Sequence, residues 1–310
     1  MPSPYQGVIL AAGSGSRMGP LADRYPKALL PVANVPLIIR HVEALRNLEV
    51  HEITVVVGHN ASMIEAALGD GKAFGATLQY VQQHERHGLA HAVAALESRI
   101  VAPFYLLLGD IYFEFTHLGA AARLFESERA AAVLAVQDDA EAVAVQRNFS
   151  VAMEPGDRVR RVVEKPTDTD CQCKGCGFYL FDGRIFDAIQ RTPRSALRNE
   201  FELTDAIQIL IDDDTPVYGV EMTAWDVNIT EPADLIACNV RELERRALPH
   251  LIGQDCEIPP GAVLDQSALG DGVQITHPIR LERCVVLPGT VVDSEADLRD
   301  AVIAPGLTAQ

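Results

Sequence analysis

A glycine-rich turn near the amino terminus, followed by a lysine, could bind a polyanion. The turn Ala11–Arg17 reads AAGSGSR and directly follows the apolar run Gly7–Leu10. Gly13 and Gly15 carry no Cβ, so their backbone N–H groups can approach phosphate oxygens closely. Lys27 follows ten positions after the arginine of the turn and stands directly after a proline. Two cations serving one anion-binding loop predict a site for a nucleoside triphosphate.

Two common glycine-rich loops do not match this turn. Dinucleotide-binding folds need G-x-G-x-x-G, and position 18 here is Met. The kinase-type P-loop needs Gly-Lys-Ser/Thr, which the turn does not contain. The chemistry therefore depends on Arg17 and Lys27 rather than on either of those motifs.

An apolar strand that ends in a carboxylate supplies the next candidate group. Leu106–Asp110 reads LLLGD. An Asp at the carboxyl end of a buried strand is well placed to hold Mg²⁺. The alternative is an Asp that only caps the following turn.

The segment around Arg17 and Lys27 resembles the signature G-x-G-[ST]-R-x(n)-P-K of the sugar-phosphate nucleotidylyltransferases, also called nucleoside-diphosphate-sugar pyrophosphorylases. The resemblance implies an enzyme that joins a nucleoside triphosphate to a sugar 1-phosphate and releases pyrophosphate with the help of Mg²⁺. Further family elements match in order along the chain, at Tyr80–Ala90, Leu106–Asp110, Val162–Pro166 and Trp225–Thr230.

The resemblance also implies which residues contact the nucleotide. Arg17 would bind the β- and γ-phosphates, and Lys27 would bind the α-phosphate, where charge develops in the transition state. The rest of the nucleotide would lie against the backbone of the turn and two later residues: Leu10, Ala11, Ala12, Gly13, Gly15, Gln82 and Gly88.

The sugar phosphate would bind farther along the chain. In the family's V-x-E-K-P element, Lys165 would contact the phosphate and Glu164 the sugar hydroxyls, with Gly177 in a further pocket element. Ser150 is a departure, because many thymidylyltransferases have Tyr-Gly where this chain has Phe-Ser. That departure leaves the acceptor sugar open.

The resemblance assigns Mg²⁺ to Asp110 and to a residue near Trp225. Asp226 matches the ligand Asp of one family form, W-x-D-x-G-T, and Asn228 matches the ligand Asn of another, G-V-N. We expect Asp226 to be the second ligand, because a carboxylate neutralises Mg²⁺ better than an amide. Asn228 remains the alternative.

Composition limits the other classes of protein. The chain has 310 residues and a formal net charge of −17, which argues against nucleic acid as a partner. It shows no charged-then-apolar leader and no apolar run long enough for a membrane span, so no membrane association is expected. The six cysteines, including C-x-C-x-x-C at Cys171, Cys173 and Cys176, are too few for a disulfide framework. Zinc is disfavoured because it usually takes four ligands. We expect a cytoplasmic protein.

Periodicity predicts two domains. Alternating strand and helix patterns over 1–247 predict an α/β domain with a Rossmann-like, mostly parallel sheet and helices on both faces. Over 248–310 aliphatic residues recur at intervals of five or six, which gives a 17-residue period from Ile252 to Ile303. This period predicts a short left-handed β-helix of the hexapeptide type, expected to support a homo-oligomer or its stability.

The residues leave several functions open. A thymine or uracil nucleotide with glucose 1-phosphate is the first expectation, and a guanine nucleotide with a mannose-like or cyclitol phosphate is the second. An acyltransferase built on the β-helix would depend on His277 as its base. A non-catalytic regulatory subunit would not need to keep the cations and carboxylates named above.

Overall fold

The computed structural model of the protein describes residues 3–13, 15–138, 140–167, 173–196 and 198–309. No helix within these residues is both long enough and apolar enough to cross a membrane.

Strands and helices alternate over the first 245 residues, as the apolar runs predict. The strands are β1 (Gln6–Ala11), β2 (Pro31–Val32), β3 (Val35–Pro36), β4 (Glu52–Val57), β5 (Thr77–Gln82), β6 (Phe104–Leu108), β7 (Ile111–Phe115), β8 (Ala132–Gln137), β9 (Phe149–Met153), β10 (Val159–Glu164), β11 (Lys174–Phe181), β12 (Val217–Glu221) and β13 (Thr223–Asn228). The helices are α1 (Pro20–Arg24), α2 (Leu37–Asn47), α3 (Ala61–Leu68), α4 (Leu89–Ala94), α5 (Ala120–Glu128), α6 (Ala142–Arg147), α7 (Arg184–Arg191), α8 (Leu203–Asp212) and α9 (Pro232–Arg245).

The large sheet has a parallel half and a largely antiparallel half. Its strand order is β10-β9-β11-β6-β1-β4-β5, with β8 and β12 joined through β11. Strands β6, β1, β4 and β5 run parallel to one another, whereas β11 is antiparallel to β6, β8 and β9. The predicted α/β fold is confirmed, and the sheet is mixed.

Helices cover both faces of this sheet. In β1, Val8 and Leu10 face one core, whereas Ile9 between them faces the other. The first core is closed by helices α4, α7 and α8, and the second by α2, α3 and α5. A strand with both faces buried is uniformly apolar, which explains the run Gly7–Leu10.

Strands β7 and β13 form a separate antiparallel ribbon. β7 begins directly after Asp110, at the end of β6, and β13 leads into α9. The ribbon therefore carries the two segments in which metal ligands are expected.

After α9 the chain forms three short parallel sheets, the arrangement of a β-helix. Their strands are β14 (His250–Ile252), β15 (Val263–Asp265), β16 (Ser267–Leu269), β17 (Gln274–Ile275), β18 (Arg280–Glu282), β19 (Val285–Val286), β20 (Val291–Val292), β21 (Leu298–Arg299) and β22 (Val302–Ala304), and the antiparallel β23 (Leu307–Ala309) follows. Paired residues lie 17 positions apart, such as His250 with Ser267 and Val285 with Val302. The predicted 17-residue period therefore equals the sequence separation of paired residues in neighbouring coils.

Inward residues of the β-helix form their own apolar core, which includes Leu269, Val286 and Ile303. Ile252 was expected among them but is 42% exposed. It lies in the first coil, which has a paired coil on one side only. The predicted domain boundary after residue 247 falls in the connection between α9 and β14.

The outer face of the β-helix packs against the amino-terminal part of the chain. Val285, Leu287 and Val302 share one buried cluster with Met18 and Leu21, which belong to the segment that carries Arg17 and Lys27. Outside this cluster, Asn34 Nδ2 donates to the carbonyl of Leu269 at 2.7 Å, and Arg24 donates to that of Pro305. The two parts therefore share an apolar core.

We expect Leu287→Ala to destabilise the whole chain by ~2–5 kcal/mol, because it opens a cavity in the shared cluster. Leu287 is 2% exposed. Urea unfolding followed by the fluorescence of Trp225, the sole tryptophan, measures the change, since this ring packs on the same cluster.

Val291→Ala is the matched control, because Val291 lies on the same β-helix but is 53% exposed. Its effect should stay within ~0.5 kcal/mol. The contrary result would be two separate unfolding transitions in the wild-type protein, with Leu287→Ala shifting only the transition that Trp225 fluorescence does not report. That result would show that the α/β part and the β-helix unfold independently.

Candidate active site

One edge of the large sheet collects most of the residues that sequence reasoning singled out. The register places Leu10 beside Leu108 on one side and beside Val56 on the other. One strand farther, Val57 lies beside Gln82. Parallel strands end at a common edge, so the glycine-rich turn, Asp110 and Gln82 follow one another there. The N–H of Gly109 donates to the carbonyl of Leu10 at 2.9 Å and fixes this neighbourhood.

Lys27 and Asp110 meet at this edge. Lys27 Nζ lies 3.4 Å from Asp110 Oδ2, although the residues are 83 positions apart. Gly15 has a φ of +66°, and a Cβ on it would lie 2.9 Å from Lys27 Cε. Glycine suits both this backbone conformation and this close approach. The turn therefore packs directly on the stem of Lys27.

The outer side of the turn is open. Arg17 lies in a short 3₁₀ turn, Ser16–Met18, and its side chain is exposed. Within the described part of the chain it has neither a hydrogen bond nor an ion pair. A Cβ on the exposed Gly13 would meet nothing within 4 Å, whereas Ala12 is buried. A polyanion could therefore reach the backbone at Gly13 and the guanidinium of Arg17 from solvent.

Gln82 and Gly88, both expected to contact the nucleotide, have different surroundings. Gln82 Nε2 donates to the carbonyl of Gly58 at 2.9 Å, and Gly58 packs against Ala12 of the turn. Gly88 has a φ of +104°, and a Cβ on it would lie 2.4 Å from the carbonyl oxygen of Phe201. The close approach at Gly88 is therefore to another part of the chain, and the need for glycine is explained without a nucleotide.

The row of residues continues into the antiparallel half of the sheet. Glu164 pairs with Phe149 in β9, and Phe149 pairs with Gly175 in β11. Ser150 is buried between Val163 and Lys174, its two partners in the ladder. The residues expected to bind the sugar phosphate therefore lie along the same sheet edge.

Glu164 lies in a small cluster of charged and polar groups. Thr204 Oγ1 donates to Glu164 Oε2 at 3.2 Å. Lys165 Nζ and Arg198 Nη1 lie 3.9 Å and 3.7 Å from Glu164 Oε1. Burial, and then the nearby carboxyl of Glu202, raise the pKa of Glu164 to about 7. This carboxyl therefore changes its charge near neutral pH.

Sequence reasoning missed Arg198. It lies in the loop before α8, four positions before Glu202, to which it is also paired at 3.4 Å. The four-residue spacing of these opposite charges was the available signal. The pairing with Glu164 could not be foreseen, because it joins parts of the chain 34 positions apart.

Gly177 connects the two halves of the edge. It lies in the bulge of β11 with a φ of +74°, and a Cβ there would lie 2.5 Å from Ile111 Cδ1. Ile111 follows Asp110 directly. The bulged strand therefore packs against the start of β7.

Asp226, expected as a metal ligand, pairs with Lys174. Lys174 Nζ lies 2.9 Å from both Asp226 oxygens, and the side chains of Lys174 and Asp226 are 3% and 1% exposed. The register places Asp226 opposite Phe113, three residues beyond Asp110.

Asn228 lies closer to Asp110. It pairs with Ile111, and the N–H of the next residue, Ile229, donates to the carbonyl of Asp110 at 2.8 Å. Asn228 Oδ1 is buried without a hydrogen-bond partner. A buried amide oxygen without a donor is unfavourable unless something else satisfies it.

The described residues contain no group of three or more His, Cys, Asp or Glu side chains that could hold a metal ion. A Mg²⁺ ion that brings its own phosphates and water needs only one or two protein oxygens. The carboxylate of Asp110 and the unpartnered oxygen of Asn228 are hard oxygen ligands of that kind. These two residues fit Mg²⁺, and each oxygen of Asp226 accepts a hydrogen bond from Lys174 Nζ.

The other candidate groups lie elsewhere. Cys173 and Cys176 are buried beside and within β11, and Cys171 lies outside the described residues. His277 is on the surface of the β-helix, 3.4 Å from Asp293.

The chain is similar to known proteins over most of its length. It is 32% identical over 246 residues to the low-salt glycan biosynthesis nucleotidyltransferase Agl11 of Haloferax volcanii, covering 78% of this chain and 67% of that protein. It is 31% identical to the UTP–glucose-1-phosphate uridylyltransferase AglF of the same organism, covering 74% and 93%. It is 29% identical to a glucose-1-phosphate thymidylyltransferase of Streptomyces griseus, covering 87% and 79%.

The fold agrees with these similarities. A solved structure of a UDP-glucose pyrophosphorylase complexed with UDP-glucose superposes with a TM-score of 0.70 at 21% identity, covering 78% of this chain and 99% of the other. The family model described as nucleotidyl transferase matches residues 6–239, which include the glycine-rich turn and the four later family elements but not the β-helix. The chain therefore belongs to the nucleotidyl transferase family.

Proposed function

We propose that the protein transfers a nucleotidyl group from a nucleoside triphosphate to a sugar 1-phosphate and releases pyrophosphate. The contact between Lys27 and Asp110 carries this proposal. It brings a fixed cation and a metal-binding carboxylate to the loop where the family resemblance places the triphosphate.

The reaction needs little proton transfer. An oxygen of the sugar phosphate attacks the α-phosphorus, and the bond from the α-phosphorus to the bridging oxygen breaks. The leaving pyrophosphate takes the bonding electron pair. The nucleophile is already an anion, so the protein must align two polyanions and offset their charge.

Two cations at the glycine-rich turn serve the triphosphate. Lys27, beneath the turn, interacts with the α-phosphate, and Arg17 is free to fold onto the β- and γ-phosphates. A planar guanidinium can engage a departing pyrophosphate with two hydrogen bonds. The open backbone around Gly13 supplies further donors.

Asp110 and Asn228 would hold Mg²⁺. Bound there, the ion would offset charge on the α-phosphate and the leaving group. The unpartnered Asn228 Oδ1 supports this assignment over Asp226.

The cluster around Glu164 serves the acceptor. Lys165 and Arg198 offer positive charge to its phosphate, and the Glu164 carboxylate accepts hydrogen bonds from sugar hydroxyls. Thr204 orients that carboxylate from the opposite oxygen.

The relatives narrow the substrates. Two of them are named for glucose 1-phosphate, one with UTP and one as a thymidylyltransferase. We take UTP or dTTP with glucose 1-phosphate as the substrates. We also take the protein to be a cytoplasmic homo-oligomer, and light scattering would test its oligomeric state. Pyrophosphate release over a matrix of triphosphates and sugar 1-phosphates tests the function itself. Release with no pair in the matrix would refute it.

We expect Lys27→Ala and Asp110→Ala each to lower kcat/KM about 10²–10³-fold, because each removes a preorganised charge at the reacting phosphates. Pyrophosphate release measures the loss, and circular dichroism checks that each variant is folded.

Lys72→Ala is the matched control. Lys72 is also paired with a carboxylate, Asp70 at 2.7 Å, but both groups are exposed and lie away from the sheet edge. It should keep wild-type kinetics. Normal turnover by both folded site variants would remove Lys27 and Asp110 from the mechanism.

Glu164 makes acceptor binding depend on pH. Its carboxyl is protonated below the pKa of about 7 and charged above it. Only the charged form accepts hydrogen bonds with both oxygens. We expect the KM for the sugar 1-phosphate to fall about tenfold as pH rises through 7, since a charge-assisted hydrogen bond contributes ~1.5 kcal/mol.

Glu164→Gln keeps the shape and removes the charge, so it should hold a high KM and lose this inflection. The acceptor's own phosphate titrates equally in both proteins, so it cannot produce the difference. Parallel KM profiles for wild type and Glu164→Gln would show that Glu164 does not control the pH dependence.

A further inference from the structure

Lys174 and Asp226 form a fully buried ion pair that the proposed reaction does not use. The ammonium bridges both carboxylate oxygens at 2.9 Å. Lys174 begins β11 of the large sheet, and Asp226 lies in β13 of the ribbon. Removing two such charges from water is costly, and apolar residues of similar size stabilise a core at least as well. Overall stability is therefore a poor explanation for this pair.

The pair joins two sheets that are not joined by strand pairing in the part of the chain described. β7 and β13 pair only with each other, and β11 belongs to the large sheet. Thr223 and Cys176 touch at 3.8 Å near the pair, and Phe113 packs on Phe178. Among these links, the ion pair is the one with fixed direction and charge.

The same strand presents Asn228. Side chains alternate along a strand, so Asp226 and Asn228 lie on one face of β13. Asn228 is opposite Ile111, beside Asp110. The N–H of Ile229 ties the backbone of β13 to the carbonyl of Asp110. A shift of the other end of β13 relative to the large sheet would therefore change the direction of the Asn228 side chain about that bond.

We propose that Lys174 is a positioning residue, whose ammonium binds Asp226 and thereby holds Asn228 Oδ1 toward Asp110. The inference rests on the proposed function, because it assumes that Asp110 and Asn228 hold the metal ion. On this inference the metal ligands are the carboxylate of Asp110 and the amide of Asn228. The carboxylate of Asp226 is neutralised by Lys174 within the protein.

Three variants separate this role from direct ligation. Lys174→Met removes the cation and leaves a buried carboxylate unpaired. Asp226→Val removes the carboxylate and replaces it with a side chain that cannot act as a metal ligand. The double variant Lys174→Met/Asp226→Val replaces the pair with apolar groups of similar size. The probe is Mn²⁺ alone, titrated into each protein and followed by electron paramagnetic resonance of the free ion, with thermal unfolding recorded in parallel.

We expect each single variant to raise the Kd for Mn²⁺ about 10-fold or more, because partners that orient a metal site typically contribute that much. The single variants should also lower the Tm. The double variant should return the Kd for Mn²⁺ to within about threefold of wild type, since the ribbon again packs without an unpaired charge. Asn228→Ala should weaken Mn²⁺ binding in both the wild-type and the double-variant background.

Two results would overturn the inference. A double variant that binds Mn²⁺ no better than Asp226→Val would make Asp226 a ligand. A Lys174→Met protein with a lower Tm but wild-type Mn²⁺ affinity would make the pair purely structural. If Lys174→Met does not fold, the double variant still decides between these roles. If neither variant folds, the test is Lys174→Arg, which must retain wild-type Mn²⁺ affinity for the inference to stand.

Arg283→Met is the matched control, because it breaks an ion pair with Asp300 on the β-helix. It should leave Mn²⁺ binding unchanged. Neither measurement needs turnover, so failure of the proposed reaction is seen separately, as wild-type protein that binds Mn²⁺ through Asp110 but releases no pyrophosphate.

Discussion

The hydrogen-bonded register between β1 and its two neighbours is the constraint on which the candidate site depends. Leu10 lies between Leu108 and Val56, so the turn after β1 emerges beside Asp110 on one side and Gly58 on the other. A slip of one residue would turn every side chain of β1 to the opposite face, and both faces of this strand are packed. The cores on the two sides of the sheet therefore hold the phosphate loop in place.

Charge explains why the site is divided along this edge. The chain carries a net charge of −17, so anionic substrates meet an unfavourable field except where cations are concentrated. Lys27 and Arg17 lie at one end of the edge, and Lys165 and Arg198 lie at the other. In the proposed reaction each of the two cationic groups would face one phosphate-bearing substrate, so binding itself would bring the reacting phosphates together. In the same proposal Asp110, between the groups, would supply the negative charge that retains a metal ion there.

Local patterns were sufficient to predict most of the fold. Apolar runs predicted the strands. The 17-residue period predicted the pairing register of the β-helix, because residues one period apart in the sequence lie side by side in neighbouring coils. The nearness of Lys27 to the end of β6 depends on the strand order, which no local pattern predicts. The surroundings of Asp226 could not be predicted, because its partner Lys174 is 52 positions away and opens an otherwise apolar strand. A lysine at a strand end is normally read as exposed, and only tertiary packing buries this one. Arg198 was missed because its partner Glu164 is also distant in the sequence, 34 positions away.

The position of the β-helix adds a role for the tail that its sequence alone does not indicate. Leu21 of α1 and Met18 of the phosphate turn are buried in a cluster that Val285, Leu287 and Val302 complete. Arg17 and Lys27 lie on either side of α1 in the sequence. A glycine-rich turn has high conformational entropy, which must be overcome before it can hold phosphates in a fixed geometry. Packing one side of this segment on the rigid β-helix removes part of that entropy during folding, while the side that carries Arg17 stays open to substrate. The β-helix therefore restrains the segment between the two cations through this shared apolar cluster.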